Sequence, residues 1–548
     1  PIFKPPPKDN LPSREPPEPL AVCLKGIRSD ILGTPLNKVK NNLTKNESTA
    51  IDKLINLQKD GTLVLQPTDK SGGIAIYNRE DYVAGMYDVL NATLIDPFSG
   101  NTRKYYKEVN ADILDEHYEI IKNTLEDGRL NEEISDEEFC AMLPPKPAAG
   151  RCYGLGKDHK SYERVPPFRP IISGCGSNTE AISHFIDYHA NHLVKNADSY
   201  IQDTPDLLRH LAQFSDTYIP DNVVPVCIDV VNLYSNIPHD EGIGAFKASL
   251  DKRANQTVST SFLIALLTLV LTMNVFEFDF KHFLQEWGTA MGTKVAPTFA
   301  NLFMASLETF IFADGTEHTK HIYKQLYKRF IDDGFLLWAG TQEQLEQFLA
   351  YLNQTHPTIK YTSSYNFQSR EVNFLDMTIR ISNGKIITDL YRKPTASVQY
   401  LLPSSCHPPH VTRNIPFSLC YRLLRIVSNR DTLTMRLSEL KEMLLMRNYD
   451  RAVIESAILR VLSLDRDEAL KKVEDSRTTK KLTFVLTFDP RLPPVSRIVQ
   501  KHFKVMYEDP YLRRVFQPDG VQVAYKRGRN LREILCKAKL PVVNNTTR

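Results

Sequence analysis

The chain has 548 residues, of which 42% are apolar and 24% are charged, and its formal net charge is +3. This composition excludes a disordered or fibrous protein and is typical of a globular chain with several domains. The small net charge neither requires nor excludes a nucleic-acid partner, because a polyanion binds local basic patches.

The N-terminal region is rich in proline, which makes up eight of the first twenty residues. This composition favours an extended linker over a packed core, and we assign residues 1–48 to a Pro-rich linker and N-terminal region. The first residue is Pro1, so we expect a fragment or a processed product.

A helix is predicted over Thr49–Lys59, followed by a β-hairpin with strands Leu63–Gln66 and Ile74–Tyr77. The hairpin tip contains Lys70, Gly72 and Gly73. A fixed positive charge and free glycine amides suit a triphosphate, although a surface lysine is the common alternative.

Residues 49–222 are assigned to one lobe. The stretch from Asp81 to Ala148 is predicted to be mostly helical and acidic. An irregular section follows, in which Lys157 and Lys160 are candidate nucleic-acid contacts. Arg169, before Pro170, is a second candidate for the triphosphate.

The run VVPVCIDVVNLY, from Val223 to Tyr234, predicts a fully buried strand with a single carboxylate, Asp229. A buried, isolated charge costs several kcal/mol unless it is paired or bound to a metal. Tyr234 could lie beneath the sugar of a nucleotide and exclude a 2′-hydroxyl. A tyrosine of the core is the alternative.

A glycine-rich turn, Gly288–Thr293, is predicted between two short strands and a helix that begins near Pro297. Its glycines would let the backbone approach a ligand closely, so that Met291, Gly292 and Pro297 could line the templating base pair. A simple helix-capping turn is the alternative.

The segment RFIDDGFLLW predicts strand, turn and strand, with Asp332-Asp333-Gly334 as the turn. Alone, this pattern is more often an exposed acidic turn. Together with Asp229, it indicates aspartates on neighbouring strands that could bind two divalent ions for nucleotidyl transfer. We predict Asp229, Asp332 and Asp333 as catalytic residues. These three and Val230 are the predicted ligands of two Mg²⁺ ions, with Mn²⁺ as an alternative.

A helix at Gln342–Leu352 and strands at Ile359–Ser363, Phe374–Ile381 and Lys385–Tyr391 complete a β-α-β-β-α-β order over residues 223–402. This order predicts an α+β fold with an antiparallel sheet backed by helices. Lys360 could protonate pyrophosphate, although a solvated lysine is the alternative.

Residues 403–480 predict an all-helical lobe, with helices at Tyr421–Val427, Thr432–Arg447 and Arg451–Leu462. Residues 481–548 are basic. From Arg491 onward, the sequence has thirteen Lys and Arg and four Asp and Glu. A solvated tail is the alternative to a nucleic-acid contact. Further candidate contacts in this half are Lys393, Arg413, Arg422, Lys526, Arg527 and Arg529.

The eight cysteines form no CxxC pair, which favours a reducing, intracellular compartment. Cys406, His407 and His410 lie close in sequence, but the intervening prolines and the lack of a second cluster favour a structural role over zinc. No apolar run reaches the ~20 residues of a membrane span, so no membrane partner is expected.

Several ordered motifs resemble the reverse transcriptase of Penelope-like retroelements, a family related to telomerase reverse transcriptase. The resemblance runs from about Leu63 to Leu540 and rests on TDKSGGIAIYNREDY, FRPIISGCGSNTE, IDVVNLYSNIPHDEG, GTAMGTKVAPTFANLFM, RFIDDGFLLW, NFLDMTI, DLYRKPTASVQYLLPSSCHPPH and IPFSLCYRLLRI.

The resemblance implies a right-hand polymerase with fingers (49–222), palm (223–402) and an all-helical thumb (403–480). Such an enzyme copies element RNA into DNA from a DNA primer or target, uses dNTPs, and acts in the nucleus after synthesis in the cytoplasm. Asp229, Asp332 and Asp333 fall on the family's catalytic acids. Phe330-Ile331 and Met291 differ from many reverse transcriptases, which leaves fidelity open.

Family members often carry a GIY-YIG endonuclease after the polymerase, and this sequence contains no such motif. We expect either that the chain is cut before the nuclease or that it belongs to a branch without one. Two other functions compete with reverse transcription. One is an RNA-copying or untemplated nucleotidyltransferase, and the other is a catalytically idle RNA-binding protein, against which the intact aspartates argue.

Overall fold

The computed structural model describes residues 18–39, 42–96, 99–312, 319–394, 399–472, 482–510, 513 and 520–542. It is a mixed α/β structure with antiparallel and mixed sheets. Residues 1–17, which contain seven of the eight prolines among the first twenty residues, lie outside the described part.

The first 222 residues contain seven named α-helices and seven strands in the described part. The helices are α1 Glu18–Gly33, α2 Lys45–Lys59, α3 Arg79–Leu90, α4 Ile113–Leu130, α5 Asp136–Met142, α6 Glu180–Ala190 and α7 Thr204–Ala212. The strands are β1 Leu63–Pro67, β2 Ile74–Asn78, β3 Thr93–Ile95, β4 Thr102–Lys104, β5 Tyr106–Val109, β6 Gly150–Gly156 and β7 Phe168–Ser173. A 3₁₀ helix spans Asn191–Asn196.

The middle of the chain alternates helices and strands. The helices are α8 Leu233–Asn236, α9 His239–Leu250, α10 Thr260–Thr272, α11 Ala296–Ile311 and α12 Gln342–Thr355. The strands are β8 Val224–Val230, β9 Val275–Phe278, β10 Lys281–Gln285, β11 Ile322–Phe330, β12 Asp333–Trp338, β13 Tyr361–Tyr365, β14 Glu371–Phe374, β15 Met377–Ser382 and β16 Lys385–Leu390.

The last part is mostly helical. Its helices are α13 Pro409–Ile426, α14 Arg430–Met446, α15 Arg451–Leu462, α16 Arg466–Leu470, α17 Val495–Phe503 and α18 Leu531–Leu535, with a 3₁₀ helix at Lys504–Tyr507. Two parallel strands, β17 Leu482–Thr487 and β18 Val521–Lys526, accompany them.

The central sheet is antiparallel and has the strand order β11-β12-β8-β13. Its members follow the chain order β-α-β-β-α-β, as predicted. Both faces are buried, because Leu336 and Trp338 of β12 pack into one core while Phe335 and Leu337 pack into another. Burial on both faces explains why β8 and β12 read as continuous apolar runs.

The last two predicted strands lie outside the central sheet. They form a separate antiparallel sheet in the order β14-β15-β16, and β14 and β15 divide the predicted strand Phe374–Ile381. Leu375 has φ 54 at this division. A left-handed residue ends a strand and permits a tight hairpin, which an apolar pattern alone does not reveal.

A five-stranded mixed sheet in the order β5-β10-β9-β6-β7 lies beside the central sheet. The section containing Lys157 and Arg169 was predicted to be irregular, and this prediction is partly wrong because Arg169–Ile172 belongs to strand β7. Strand β7 contains Pro170, which is tolerated there because β7 lies at the edge of its sheet. The predicted helical stretch Asp81–Ala148 likewise contains β3, β4 and β5.

The helical lobe packs on the second face of the central sheet. Helix α13 begins at Pro409, before the predicted Tyr421, and includes Pro416 within it. Cys420, Leu424, Leu437 and Ile454 join the core below β12.

The two ends of the chain pack together. Cys23 and Ile27 of α1 share a small core with Val499 and Phe503 of α17. Residues 18–33 are therefore a packed helix and not part of an extended linker. Within the described residues, no helix is long and apolar enough to span a membrane.

Candidate active site

Three aspartates meet at one end of the central sheet. Asp229 of β8 and Asp333 of β12 are direct partners in the antiparallel ladder. The Val230 amide donates to the Asp332 carbonyl at 3.0 Å. Directly opposed residues in such a ladder have Cα atoms about 4.5–5.5 Å apart. The sheet therefore brings together the acids that the sequence separates widely.

The hairpin between β11 and β12 places two of these acids. Phe330 pairs with Asp333, so the turn is Ile331-Asp332, and the predicted turn at Asp332-Asp333-Gly334 is wrong. Ile331 has φ 58. Two-residue hairpin turns need positive φ to match the twist of their strands, which sequence alone does not suggest for isoleucine.

The prediction that Asp229 is a buried charge is also wrong. Asp229 is exposed, whereas Ile228 and Val230 on either side of it are buried. Alternate residues of a strand point to opposite faces, and the face to which Asp229 points is open at this end of the sheet. Asp332 and Asp333 are half-buried. All three carboxylates can thus meet a ligand from solvent.

Burial, reinforced by repulsion between the carboxylates, raises the pKa of Asp332 and of Asp333. Burial, Asp332 and Asp229 raise the pKa of Asp333 to about 6. Burial raises the pKa of Asp332 as well, with Asp229 adding to the effect. A cation between the carboxylates would favour their charged forms and reverse these shifts.

The donors at this site suit Mg²⁺, which prefers carboxylate oxygens. In the part of the chain that the structure describes, no group of three or more His, Cys, Asp or Glu could hold a metal ion by itself. Mg²⁺ in nucleotide sites is usually held by one or two carboxylates together with substrate phosphates. Asp229, Asp332 and Asp333 fit that arrangement. Val230 is buried beside Asp229 and stays a predicted ligand.

Cations from the five-stranded sheet and the β1–β2 hairpin face the aspartates. Arg169 and Lys70 both act to lower the pKa of Asp332, against the larger effect of burial. Arg169 is held by a salt bridge from its Nε to Asp69 Oδ1 at 3.2 Å, and the Asp69 side chain is only 4% exposed. Lys70 is exposed. The two cations predicted for a triphosphate therefore lie near the acids.

Lys157 lies in the same group of cations. Burial lowers the pKa of Lys157, and Arg169 lowers it further. Lys160 and Lys70 contribute in the same direction. Like charges gathered at one place raise each other's free energy, and a polyanion would relieve this repulsion.

The glycines of the hairpin tip differ from the prediction. The Gly73 amide donates to Thr68 Oγ1 at 3.1 Å, so it is not free. Gly72 has φ +73, and a Cβ there would meet no atom within 4 Å. Gly72 thus serves the turn conformation, and the Gly73 bond keeps the tip closed.

Tyr234 lies beside the acids on the short helix α8. Burial raises the pKa of Tyr234 to about 12, with Asp332 adding to the effect. The Thr289 amide donates to the Tyr234 carbonyl at 2.7 Å. A Cβ on Gly288 would lie 2.5 Å from that carbonyl oxygen. The glycine-rich turn therefore holds Tyr234 from behind.

The turn glycines approach other backbone of the protein, and the role of Met291, Gly292 and Pro297 at the templating base pair stays a prediction. A Cβ on Gly292 would collide with the Ile172 carbonyl oxygen, and the Met291 carbonyl accepts from the Ile172 amide at 2.9 Å. At Gly288 and Gly292, the missing side chain leaves space for other backbone atoms of the protein. Pro297 is exposed in the first turn of α11, as predicted.

Two predicted lysines have different surroundings. Lys393 is exposed and acts to lower the pKa of Asp333, so it lies near the acids. The Lys360 ammonium donates to the carbonyls of Asn353 at 2.6 Å and His356 at 3.1 Å. These carbonyls belong to the end of α12, so Lys360 caps that helix, and its role with pyrophosphate stays a prediction.

The remaining predicted nucleic-acid contacts are spread over two lobes. Arg413 is exposed on α13. Arg422 forms an ion pair with Asp376, which joins the helical lobe to the three-stranded sheet. Lys526 and Arg529 are exposed near the end of β18, and Arg527 pairs with Glu533 at 2.5 Å. Their nucleic-acid roles stay predictions.

Sequence reasoning missed Asp69 and Arg329. Asp69 orients Arg169, and its position next to Lys70 in the hairpin was an available signal. Arg329 is completely buried behind the turn that carries Asp332. Strand β11 also contains Lys324, Gln325 and Lys328, so the sequence does not distinguish Arg329 from the other polar residues of the strand.

Similarity to known proteins is local in sequence and distant in structure. A family model described as the animal helix-turn-helix domain matches residues 399–459, which include α13 and α14. No curated protein sequence matches the chain.

Among solved structures, the chain is similar to apo telomerase from Candida tropicalis truncated from its C-terminal domain, with TM-score 0.39, 10% identity and coverage of 59% of this chain and 63% of that one. It is also similar to telomerase from Candida albicans in complex with a fragment of telomeric RNA, with TM-score 0.48, 8% identity and coverage of 82% and 70%. For the RNA-dependent RNA polymerase of a Sicinivirus, the TM-score is 0.36, the identity 12% and the coverage 80% and 90%.

Proposed function

We propose that this chain is a template-directed nucleic-acid polymerase that copies RNA into DNA, as the reverse transcriptase of a Penelope-like retroelement does. The observation that carries the proposal is the meeting of Asp229, Asp332 and Asp333 at an open end of the central sheet, opposite Lys70 and Arg169. Acids with cations nearby suit a triphosphate bound with divalent metal.

Each side chain has a role in this proposal. Asp229, Asp332 and Asp333 would hold Mg²⁺, which supplies activation of the primer hydroxyl and neutralisation of the leaving pyrophosphate. Lys70 and Arg169 bind and orient the triphosphate, and Asp69 keeps the Arg169 guanidinium in place. The Tyr234 ring lies under the sugar and leaves no space for a 2′-hydroxyl.

The proposal includes an RNA template, a DNA primer and dNTP substrates, which the exposed cations Lys160, Lys393 and Arg413 would contact through phosphate. It also places the reaction in the nucleus, where a chromosomal DNA end can serve as the primer. The motifs that resemble Penelope-like reverse transcriptases support this finer assignment.

The test is extension of a DNA primer on an RNA template with Mg²⁺ and dNTPs. Asp332→Asn removes one carboxylate at almost constant volume and is expected to lower the rate on the order of 10³-fold, as loss of a principal electrostatic group does. Asp240→Asn, which changes an exposed acid at the start of α9, is the matched control and should extend normally. Equal rates for wild type and Asp332→Asn would refute the proposal, and a preference for ribonucleotides would indicate an enzyme that synthesises RNA on an RNA template.

A further inference from the structure

A fully buried arginine lies directly behind the turn that carries Asp332. The guanidinium of Arg329 has five N–H donors, and all five have acceptors. Nε donates to Glu308 Oε1 at 2.5 Å, and Nη2 donates to Glu308 Oε2 and to the Asn301 carbonyl. Nη1 donates to Asn301 Oδ1 at 2.9 Å and to the Ile331 carbonyl at 2.8 Å.

Glu308 and the backbone fix the guanidinium in this position. The Tyr327 hydroxyl donates to Glu308 Oε1 at 2.9 Å, and the Ser199 hydroxyl donates to Oε2 at 2.5 Å. The Arg329 amide donates to the Ser199 carbonyl at 2.6 Å. Burial would lower the pKa of Arg329, but the Glu308 carboxylate raises it above its usual value, so the group stays charged.

The bond to the Ile331 carbonyl reaches the active site itself. This carbonyl belongs to the peptide that joins Ile331 to Asp332, and Ile331 is held at φ 58. A β-branched residue rarely adopts this left-handed conformation, so the surrounding structure must maintain it. If that peptide rotates, the Asp332 carboxylate moves relative to Asp229.

We propose that Arg329 is a positioning residue for Asp332. Its hydrogen bond to the Ile331 carbonyl fixes the orientation of the peptide that leads to Asp332, while Glu308 and Asn301 hold the guanidinium. The inference rests on the proposed function insofar as Asp332 is a metal ligand. Residues that orient ligands from behind typically change metal affinity or activity by about 10–100-fold when substituted.

Arg329→Lys tests the inference because lysine keeps the charge beside Glu308 but cannot donate to Glu308, Asn301 and Ile331 together. Arg253→Lys is the matched control. Arg253 is also a buried arginine, and it donates to the carbonyls of Leu250 and Val258. Unlike Arg329, it is not close to the three aspartates in the sequence. Both variants should lose comparable stability in thermal unfolding.

Binding of Mn²⁺ to the full chain, measured by electron paramagnetic resonance, separates the two variants. Arg329→Lys is expected to weaken Mn²⁺ binding by about tenfold or more, and Arg253→Lys to leave it within about twofold. In primer extension, Arg329→Lys should lower kcat and raise the Mg²⁺ concentration for half-maximal rate, with little change in primer-template affinity. Should Arg329→Lys not fold, Asn301→Ala removes one of the acceptors that fix the same nitrogen and should show a smaller change in the same direction.

The two proposals fail in distinguishable ways. Equal Mn²⁺ binding by Arg329→Lys and Arg253→Lys would overturn the positioning role, whatever the polymerase assay gives. Equal primer extension by wild type and Asp332→Asn would refute the polymerase but leave the Mn²⁺ comparison decisive for Arg329. Wild-type Mn²⁺ binding no tighter than that of Asp332→Asn would overturn both.

Discussion

Charged groups lie on both sides of the β11–β12 hairpin, and their interactions differ: the groups on the front repel one another, whereas those on the back attract. On the front, Asp229, Asp332 and Asp333 repel one another, and the pKa of Asp333 is raised to about 6. On the back, Arg329 and Glu308 have opposite charges, and every donor of the guanidinium has an acceptor. The back is complete within the chain, whereas the front needs a cation from outside. The difference distinguishes a charge cluster that maintains the fold from one that binds a ligand.

Disrupting the ion pair between Arg329 and Glu308 on the back should cause the largest loss of stability. Glu308→Ala leaves Arg329 buried without a counter-charge and removes the acceptor of Tyr327 and Ser199. Removing one partner of a buried ion pair destabilises a protein by about 3–5 kcal/mol. We expect a loss of that size in the free energy of unfolding, measured in urea.

The control for this variant is Glu108→Ala. Glu108 pairs with Lys281 at 3.0 Å, and the two side chains are 55% and 49% exposed. Exposed pairs contribute about 0–1 kcal/mol, so this variant should be nearly as stable as the wild type. Equal losses for the two variants would mean that the back cluster is not a special element of the fold.

Changing Tyr234, the neutral side chain of the front, should alter selectivity, and it should also cost some stability because the ring packs against the core. Tyr234→Ala opens space below the sugar and is expected to increase ribonucleotide incorporation by about tenfold or more, since steric fit decides between substrates that differ by one hydroxyl. Competitive primer extension with dNTP and rNTP measures this ratio. Tyr234→Phe keeps the ring and should keep the discrimination; a similar change in both variants would exclude the steric explanation.

Without a bound cation, the Asp333 carboxylate on the front should lower the free energy of unfolding. The ordinary pKa of Asp333 is 3.8 and its folded value is about 6, so between these values the folded state binds more protons than the unfolded state. Stability attributable to Asp333 is therefore lost as the pH rises through this window. Without metal at about pH 7.5, Asp333→Asn should be more stable than the wild type by about 1 kcal/mol after allowance for solvent screening.

The same difference should shrink as the pH falls below about 6, because the folded state is then protonated at this position, and it should vanish once the pH is well below 3.8 and the unfolded state is protonated too. Urea unfolding at several pH values in a chelator measures it. An Asp333→Asn variant less stable than the wild type at neutral pH would show that the front is a structural cluster after all.

The sequence predicted the front better than the back for a physical reason. Asp229 and Asp333 lie in largely apolar strands and Asp332 lies in the turn before Asp333, and these strands with the observed helices between them define the sheet. The role of Arg329 depends on Glu308 and Asn301, which lie on a helix and meet it only after folding. Pairing across elements of this kind has no periodicity in the chain.

Local backbone conformation limited the predictions in the same way. The turn was displaced because Ile331 adopts φ 58, against its intrinsic preference. Asp229 is exposed because it lies at the end of β8 that leaves the core. Gly288 and Gly292 were predicted to face a ligand, because a glycine in the sequence does not reveal which atoms will occupy the space beside it. Each of these features is decided by tertiary contacts.

The smallest expected effect is stabilisation of the metal-free protein by Mg²⁺. A ligand that binds the folded state stabilises it by mass action, and proton competition removes the effect when Asp332 and Asp333 are protonated. At about pH 7.5, roughly 10 mM Mg²⁺ should raise the thermal midpoint of unfolding by about 1–2 °C over a sodium control of equal ionic strength. At about pH 5 the rise should be smaller, because Asp333, whose pKa is about 6, then binds a proton in place of the metal. Asp332→Asn should lose the rise at both pH values, whereas Glu308→Gln should lower the midpoint without Mg²⁺ but respond to the ion. If the rise persisted in Asp332→Asn, the ion would be binding elsewhere, and the contrast between an incomplete front and a complete back would no longer hold.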